Sequence, residues 1–184
     1  MKRLLFILLM VLSFTQITNA AEHLKFMGIP LTGTINAFQT KLAAKGVSVS
    51  KINKYVSKGA RAFSGKFAGE EAIIYVFYNE KTNIVYRAKA VISVSGDNIR
   101  ENKYNDFQAM LLKKYSLDYS EEGESEDYPT VSIFVTDNFG EAYLGHIDLF
   151  QSKDEYSYDA YTIHIDYWDA TNDTANDNSR MQDL

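Results

Sequence analysis

The stretch Ile84-Val85-Tyr86-Arg87-Ala88-Lys89-Ala90-Val91-Ile92-Ser93-Val94 alternates with a period of two. Successive residues of a strand point to opposite faces, so this is a strand. Ile84, Tyr86, Ala88, Ala90 and Ile92 fall on one face, and Arg87, Lys89 and Ser93 on the other. The polar run Asn79-Glu80-Lys81-Thr82-Asn83 just before it reads as a turn, and residues 71–78 before that are apolar on both faces, as a central strand is. Residues 60–67 add a further strand with Phe63 and Phe67 on one face. Downstream, residues 131–136 lead through Asp137-Asn138-Phe139-Gly140 into residues 142–150, and residues 161–168 close the set. Short polar links of this kind predict antiparallel hairpins.

Each group of strands follows a predicted helix. The first spans about residues 35–45, with Ile35, Phe38 and Leu42 at helical spacing. Thr34 suits its N-cap, and Gly46 stands where a left-handed C-terminal residue belongs. The second spans about residues 98–115, capped by Asp97 or Asn98, with Tyr104, Phe107, Met110, Leu111 and Tyr115 as its apolar stripe. Lys113 and Lys114 stand near its C-terminus, where the helix dipole favours cations. The order helix, strands, helix, strands predicts an α+β fold: an antiparallel sheet with two helices on one face, built from two helix-plus-strands repeats at residues 35–92 and 98–168. The second sheet face is then partly open and is a natural docking surface.

The N-terminus speaks to compartment. Met1-Lys2-Arg3, an apolar run over residues 4–14 and the exit Thr18-Asn19-Ala20 have the form of a secretory signal peptide over residues 1–20. The run is shorter than the ~20 apolar residues of a membrane span. The chain contains no cysteine, which excludes disulfides and leaves no site for a lipid anchor at the cut. An exported protein, periplasmic or secreted, is expected, with one domain over residues 21–169 and an acidic, Asn-rich, disordered tail at 170–184.

The net charge of −5 conceals a split. Residues 22–69 hold eight basic residues and one acidic, residues 70–117 seven and six, and residues 118–184 two and seventeen. Either the halves lie side by side and neutralise each other, or the C-terminal half presents an acidic face to a basic partner or to calcium. The acidic excess argues against nucleic acid as a partner.

Phe26-Met27-Gly28-Ile29-Pro30-Leu31-Thr32-Gly33-Thr34-Ile35, then Phe38, Leu42 and Lys45-Gly46, resembles the opening of a group of uncharacterised exported domains of Gram-negative bacteria. The closing Tyr161-Thr162-Ile163-His164-Ile165-Asp166-Tyr167-Trp168-Asp169 is similar as well. The repeat order also resembles the β-lactamase-inhibitor-protein fold in layout, in which two helix-plus-sheet units bind a partner through the sheet. That fold's disulfides are missing here, so the resemblance implies neither β-lactamase inhibition nor any binding residue.

The sharpest local feature is a doubled motif, His146-Ile147-Asp148 and His164-Ile165-Asp166. In strands each His shares a face with its Asp. A hairpin centred near Glu155 sets His146 across from His164, and His146, Asp148, His164 and Asp166 then cluster as a metal site requires. The competing reading leaves Tyr161, Ile163, Ile165 and Tyr167 as the core face, with the His and Asp facing water. Cysteine nucleophiles, Gly-x-Ser-x-Gly elbows, His-Glu-x-x-His and phosphate-binding glycine loops are absent from the sequence. The acidic run over residues 118–127, with Glu121, Glu122 and Glu124, is read as a solvated connection or as a site for calcium or a partner. Tyr156 and Tyr158 form a candidate exposed pair for sugar stacking, and Asp173-Thr174-Ala175 resembles an O-glycosylation acceptor.

The reading that follows is an exported, non-enzymatic binding module that uses an open sheet face and an acidic C-terminal half. Its partner is a basic protein or an envelope component, and no cofactor is expected. The alternatives are a metal-assisted envelope hydrolase using the doubled motif, and a calcium- or glycan-binding accessory protein.

Overall fold

The computed structural model describes residues 22–115, 120–125, 128–153 and 160–181. The expected signal peptide and the pair Tyr156 and Tyr158 lie outside them. A hairpin of β1 (Lys25–Phe26) and β2 (Ile29–Pro30) opens the chain, followed by α1 (Ile35–Ala43). Then come β3 (Ser48–Val49), a 3-10 turn (Lys51–Tyr55), β4 (Ala60–Phe67), β5 (Glu70–Tyr78) and β6 (Val85–Ser95). The second half holds α2 (Asp97–Lys114), β7 (Ser120–Ser125), β8 (Tyr128–Thr136), β9 (Tyr143–Lys153), β10 (Ala160–Asp169) and α3 (Ala170–Met181).

Strands β3 to β10 make one sheet in the order β3-β4-β5-β6-β10-β9-β8-β7, antiparallel throughout. Each half is therefore a helix followed by a four-stranded meander. The halves join through their last strands, β6 and β10, whose register runs from Ala160↔Ser95 to Trp168↔Arg87. Both helices pack on one sheet face. Ile35, Phe38 and Leu42 of α1 and Tyr104, Phe107 and Leu111 of α2 share one core with Ala88, Ala90 and Ile92 of β6 and with Ile147, Leu149, Ile163 and Ile165. The α+β architecture and the two repeats are as the sequence predicts.

Thr34 caps α1, its side-chain oxygen accepting from the Ala37 amide at 3.4 Å. Gly46 takes φ +80° after the helix. The turn before β6 closes on Asn79, whose Oδ1 accepts from the amides of Lys81 and Thr82, both at 2.9 Å.

Several elements differ from expectation. Helix α2 starts one residue early: Gly96, at φ +87°, takes the N-cap position, and Asp97 enters the first turn, where the dipole favours it. Met110, expected in the stripe, is 47% exposed. A register shift between Phe77 and Tyr78 pairs Phe77 with Arg87 but Tyr78 with Val85. This bulge makes Tyr86 the extra residue. Val85 takes the core position, and Tyr86 instead lines a polar cleft with Asn176, Ser179 and Arg180 of α3.

The run expected as an acidic loop contains β7. Its backbone pairs with β8 from Ser120↔Ile133 to Ser125↔Tyr128. An edge strand needs a single pairing neighbour, and charges on it discourage a further one. The tail expected to be disordered forms α3 over Ala170–Met181. It has no apolar stripe because amides dock it. Asp169 Oδ1 accepts from the Asn172 amide at 2.9 Å and caps the helix, and Asn172 Nδ2 donates to the carbonyl oxygens of Leu31 (2.8 Å) and Val85 (3.2 Å). Buried Asn176 accepts from Asn79 Nδ2 at 3.1 Å.

The strand order sets some of the charges apart and brings others together. Exposed Lys41, Lys45, Lys51, Lys54 and Lys58 stand on α1, the 3-10 turn and the approach to β4, while β7 with its glutamates forms the opposite edge. Six strand spacings, about 29 Å, separate β4 from β7. That is more than about three Debye lengths at physiological salt, so those lysines and Glu121 are screened from each other, whereas Arg87 and Asp166 pair across the seam between the halves.

Candidate functional site

The face opposite α1 and α2 carries the doubled motif. Alternation in β9 and β10 places Ile147, Leu149, Ile163, Ile165 and Tyr167 in the core, and His146, Asp148, His164 and Asp166 on the other side. Register then decides who meets whom. Asp166 lies opposite Asp148, but His146 lies opposite Trp168, and His164 opposite Phe150. The expected meeting of His146 with His164 does not occur.

Across this face runs a row of five side chains from five adjacent strands: Phe77, Arg87, Trp168, His146 and Phe134. The Arg87 guanidinium lies 3.6 Å from the Trp168 ring centroid and 4.5 Å from that of Phe77. His146 stacks on Trp168 at 5.8 Å with 10° between planes, and Phe134 follows at 6.2 Å from His146. A cation held between two aromatic faces is a favourable arrangement, more so when partly desolvated.

Below it runs a polar row: Tyr75, Lys89, Asp166, Asp148 and Ser132. Arg87 reaches across to Asp166 in a two-pronged contact, with Nε donating at 2.9 Å and Nη2 donating to the other oxygen. Asp166 is 2% exposed, so it is buried rather than facing water. Burial raises its pKa, and the Arg87 contact pulls the other way. Lys89 is lowered by burial, with Asp166 opposing.

The chemistry of the four motif residues is occupied. Asp148 accepts from Ser132 Oγ at 2.7 Å, and His146 Nε2 lies 3.6 Å from Asp148. His146 Nδ1 is 3.0 Å from the Tyr143 hydroxyl. The chain of contacts thus runs Tyr143, His146, Asp148, Ser132. A Ser-His-Asp triad needs the imidazole between serine and carboxylate, whereas here the carboxylate stands between. The phenol next to His146 is not activated either: burial raises the Tyr143 pKa, and Asp148 and Asp173 add to the rise.

His164 stacks on Phe150 at 4.5 Å with 8° between planes. Its Nε2 lies 2.8 Å from Thr162 Oγ1 and 3.1 Å from Ser152 Oγ. Burial, then Lys89, lowers its pKa to about 4, so it is neutral at pH 7. Among the described residues no three His, Asp or Glu side chains converge to hold a metal ion. The four motif residues do not meet as the sequence reading placed them: Arg87 holds Asp166, Ser132 holds Asp148, and the two imidazoles lie in different rows.

Helix α3 bounds the face at one end. Asp173 feels His146 and Arg87, yet burial, with Asp177 adding, raises its pKa. Thr174 is exposed on this helix. Glu121 is exposed on β7 in register with Ser132, and only the backbone of Glu122 and Glu124 is described.

No family model, curated protein or solved structure matches this chain.

The sequence reading missed Arg87, Trp168, Phe77 and Phe134. Their residue types were visible, but only the strand order sets them in one row. The signal within reach was Arg87 itself, which stands with Lys89 as a cation on the polar side of a strand whose other side is apolar.

Proposed function

We propose that this chain is an exported, non-catalytic binding module that engages a basic partner protein through the sheet face opposite α1 and α2. The observation that supports it is the composition of that face. Half-buried Tyr75, Phe77, Val91, Phe134, Phe150 and Trp168 share this face with Arg87, which lies between Phe77 and Trp168, on strands braced by the core beneath them. Aromatic residues and arginine are the types enriched in interface centres and hot spots. Asp148, Asp173, Asp177 and Glu121 stand on or beside this face, so its margin favours a cationic partner. The export assignment rests on the form of residues 1–20.

The test is capture from the envelope fraction of the native host by tagged protein carrying Val91→Arg, compared with wild type. Ile99→Arg on the exposed outer side of α2 is the control, Ile99 being 57% exposed. A partner held by wild type and Ile99→Arg, lost with Val91→Arg and released by salt, supports the reading. A partner that Val91→Arg retains overturns it.

A further inference from the structure

A cavity of about 400 Å³ lies on the helix side of the sheet, away from the face described above. Its floor is Ile165 and Tyr167 of β10, with Phe67, Phe107 and Leu111 also lining it. All five are buried. Met27, Ala68, Met110 and Lys114 complete it.

Two features set it apart from a packing gap. The first is its rim. Met27-Gly28 and Ala68-Gly69 are two-residue hairpin turns in which both residues have positive φ: +52° and +74°, then +49° and +91°. Such turns favour Asn or Asp at the first position. Met and Ala stand there instead, at a conformational cost, and present apolar side chains to the opening. The second is charge. Lys114 is the one ionised side chain of the lining. Among the described residues its ammonium has no carboxylate partner and rests 4.9 Å from the Tyr115 ring centroid. Lys114 also lines a larger mixed cleft of about 680 Å³, whose charged members are Lys25, Glu22 and Asp137.

We infer that this cavity is a binding site for a medium-chain aliphatic monocarboxylate, its chain in the cavity and its carboxylate at Lys114, where the cavity meets the larger cleft. Apolar walls with one placed polar group are the usual make-up of a small-molecule site. At about 30 Å³ per water-sized group, 400 Å³ holds about 13 such groups. Decanoate, with about 12 non-hydrogen atoms, fits that space.

Methionine methyl groups supply the assay. With ¹³C-methyl methionine, Met27 and Met110 report on the rim, and Met181 on α3 is an internal control. Sodium decanoate titrated to about 1 mM is expected to move Met27 and Met110 saturably while Met181 stays in place. Lys114→Glu is expected to weaken decanoate by about fivefold or more while changing 1-decanol by less than about twofold. Met27→Asn suits the turn, so it is expected to keep or raise stability and yet weaken both ligands. No saturable shift at Met27 and Met110, an equal shift at Met181, or decanoate affinity unchanged in both variants would overturn the assignment.

Discussion

Acid should weaken this fold through His164, and the size of the effect follows from where the ring lies. The imidazole is stacked on Phe150, its Nε2 is taken up by Thr162 and Ser152, and Lys89 adds an unfavourable charge. Its Nδ1 is shielded from solvent and has no partner among the described residues, so a second proton there is buried without an acceptor among them. Folding therefore holds the pKa at about 4, against 6.5 for the free side chain. The unfolded chain binds this proton first as pH falls, so stability is present in full above about pH 6.5 and drains away toward pH 4. The whole gap corresponds to about 3 kcal/mol, of which about 2 kcal/mol is gone by pH 5. Asp166 and Asp173, both raised by burial, act with the opposite sign, so wild type alone does not isolate the histidine. Urea unfolding of wild type and His164→Gln at pH 7 and pH 5 does. The variant is expected to lose about 2 kcal/mol less than wild type over that interval, whatever its stability at pH 7. Equal losses in the two proteins would refute the reasoning.

Arg87→Ala leaves the Asp166 carboxylate buried without its cation, and a loss of about 3–5 kcal/mol is expected in denaturant titrations at pH 7, lessened at low pH where Asp166 takes a proton. Asp169 is fully buried and accepts from the Leu24 amide (3.0 Å), His23 Nδ1 (3.1 Å) and the Asn172 amide (2.9 Å). Asp169→Ala should cost at least about 2 kcal/mol and speed hydrogen exchange at residues 24 and 172 together, and exchange rising at one alone would count against a shared anchor. Gly145 has φ +146°, and a Cβ there would run into the Trp168 carbonyl. Gly145→Ala is therefore expected to lower stability by about 3 kcal/mol or more in thermal melts, and a neutral result would mean the β9–β10 pairing yields easily.

Both helices of the core, α1 from its Thr34 cap to Gly46 and α2 with Tyr104, Phe107 and Leu111 inward, are legible because a helix's face and ends are local matters. The polar α3 is not legible. Its docking uses Asn172 and Asn176 against backbone and side-chain amides that lie far off in sequence, and no apolar period announces such contacts. The strand β7 is hidden for a related reason, since its glutamates favour no strand and only its pairing with β8 makes one.

The doubled His-Ile-Asp marks the boundary between the two kinds of information. Its own alternation determines that both His and both Asp leave the core side, because side chains in a strand repeat every two residues. Alternation is blind to partners, because sliding one strand by two residues keeps every face and changes every neighbour. By itself, then, the sequence determined the periods, the ends of α1, the charge split and most of the apolar faces. Tertiary structure decided the rest: Asp148 opposite Asp166, His146 against Trp168, and Arg87 between Trp168 and Phe77. Those outcomes depend on long-range register and strand order, which the whole core fixes at once.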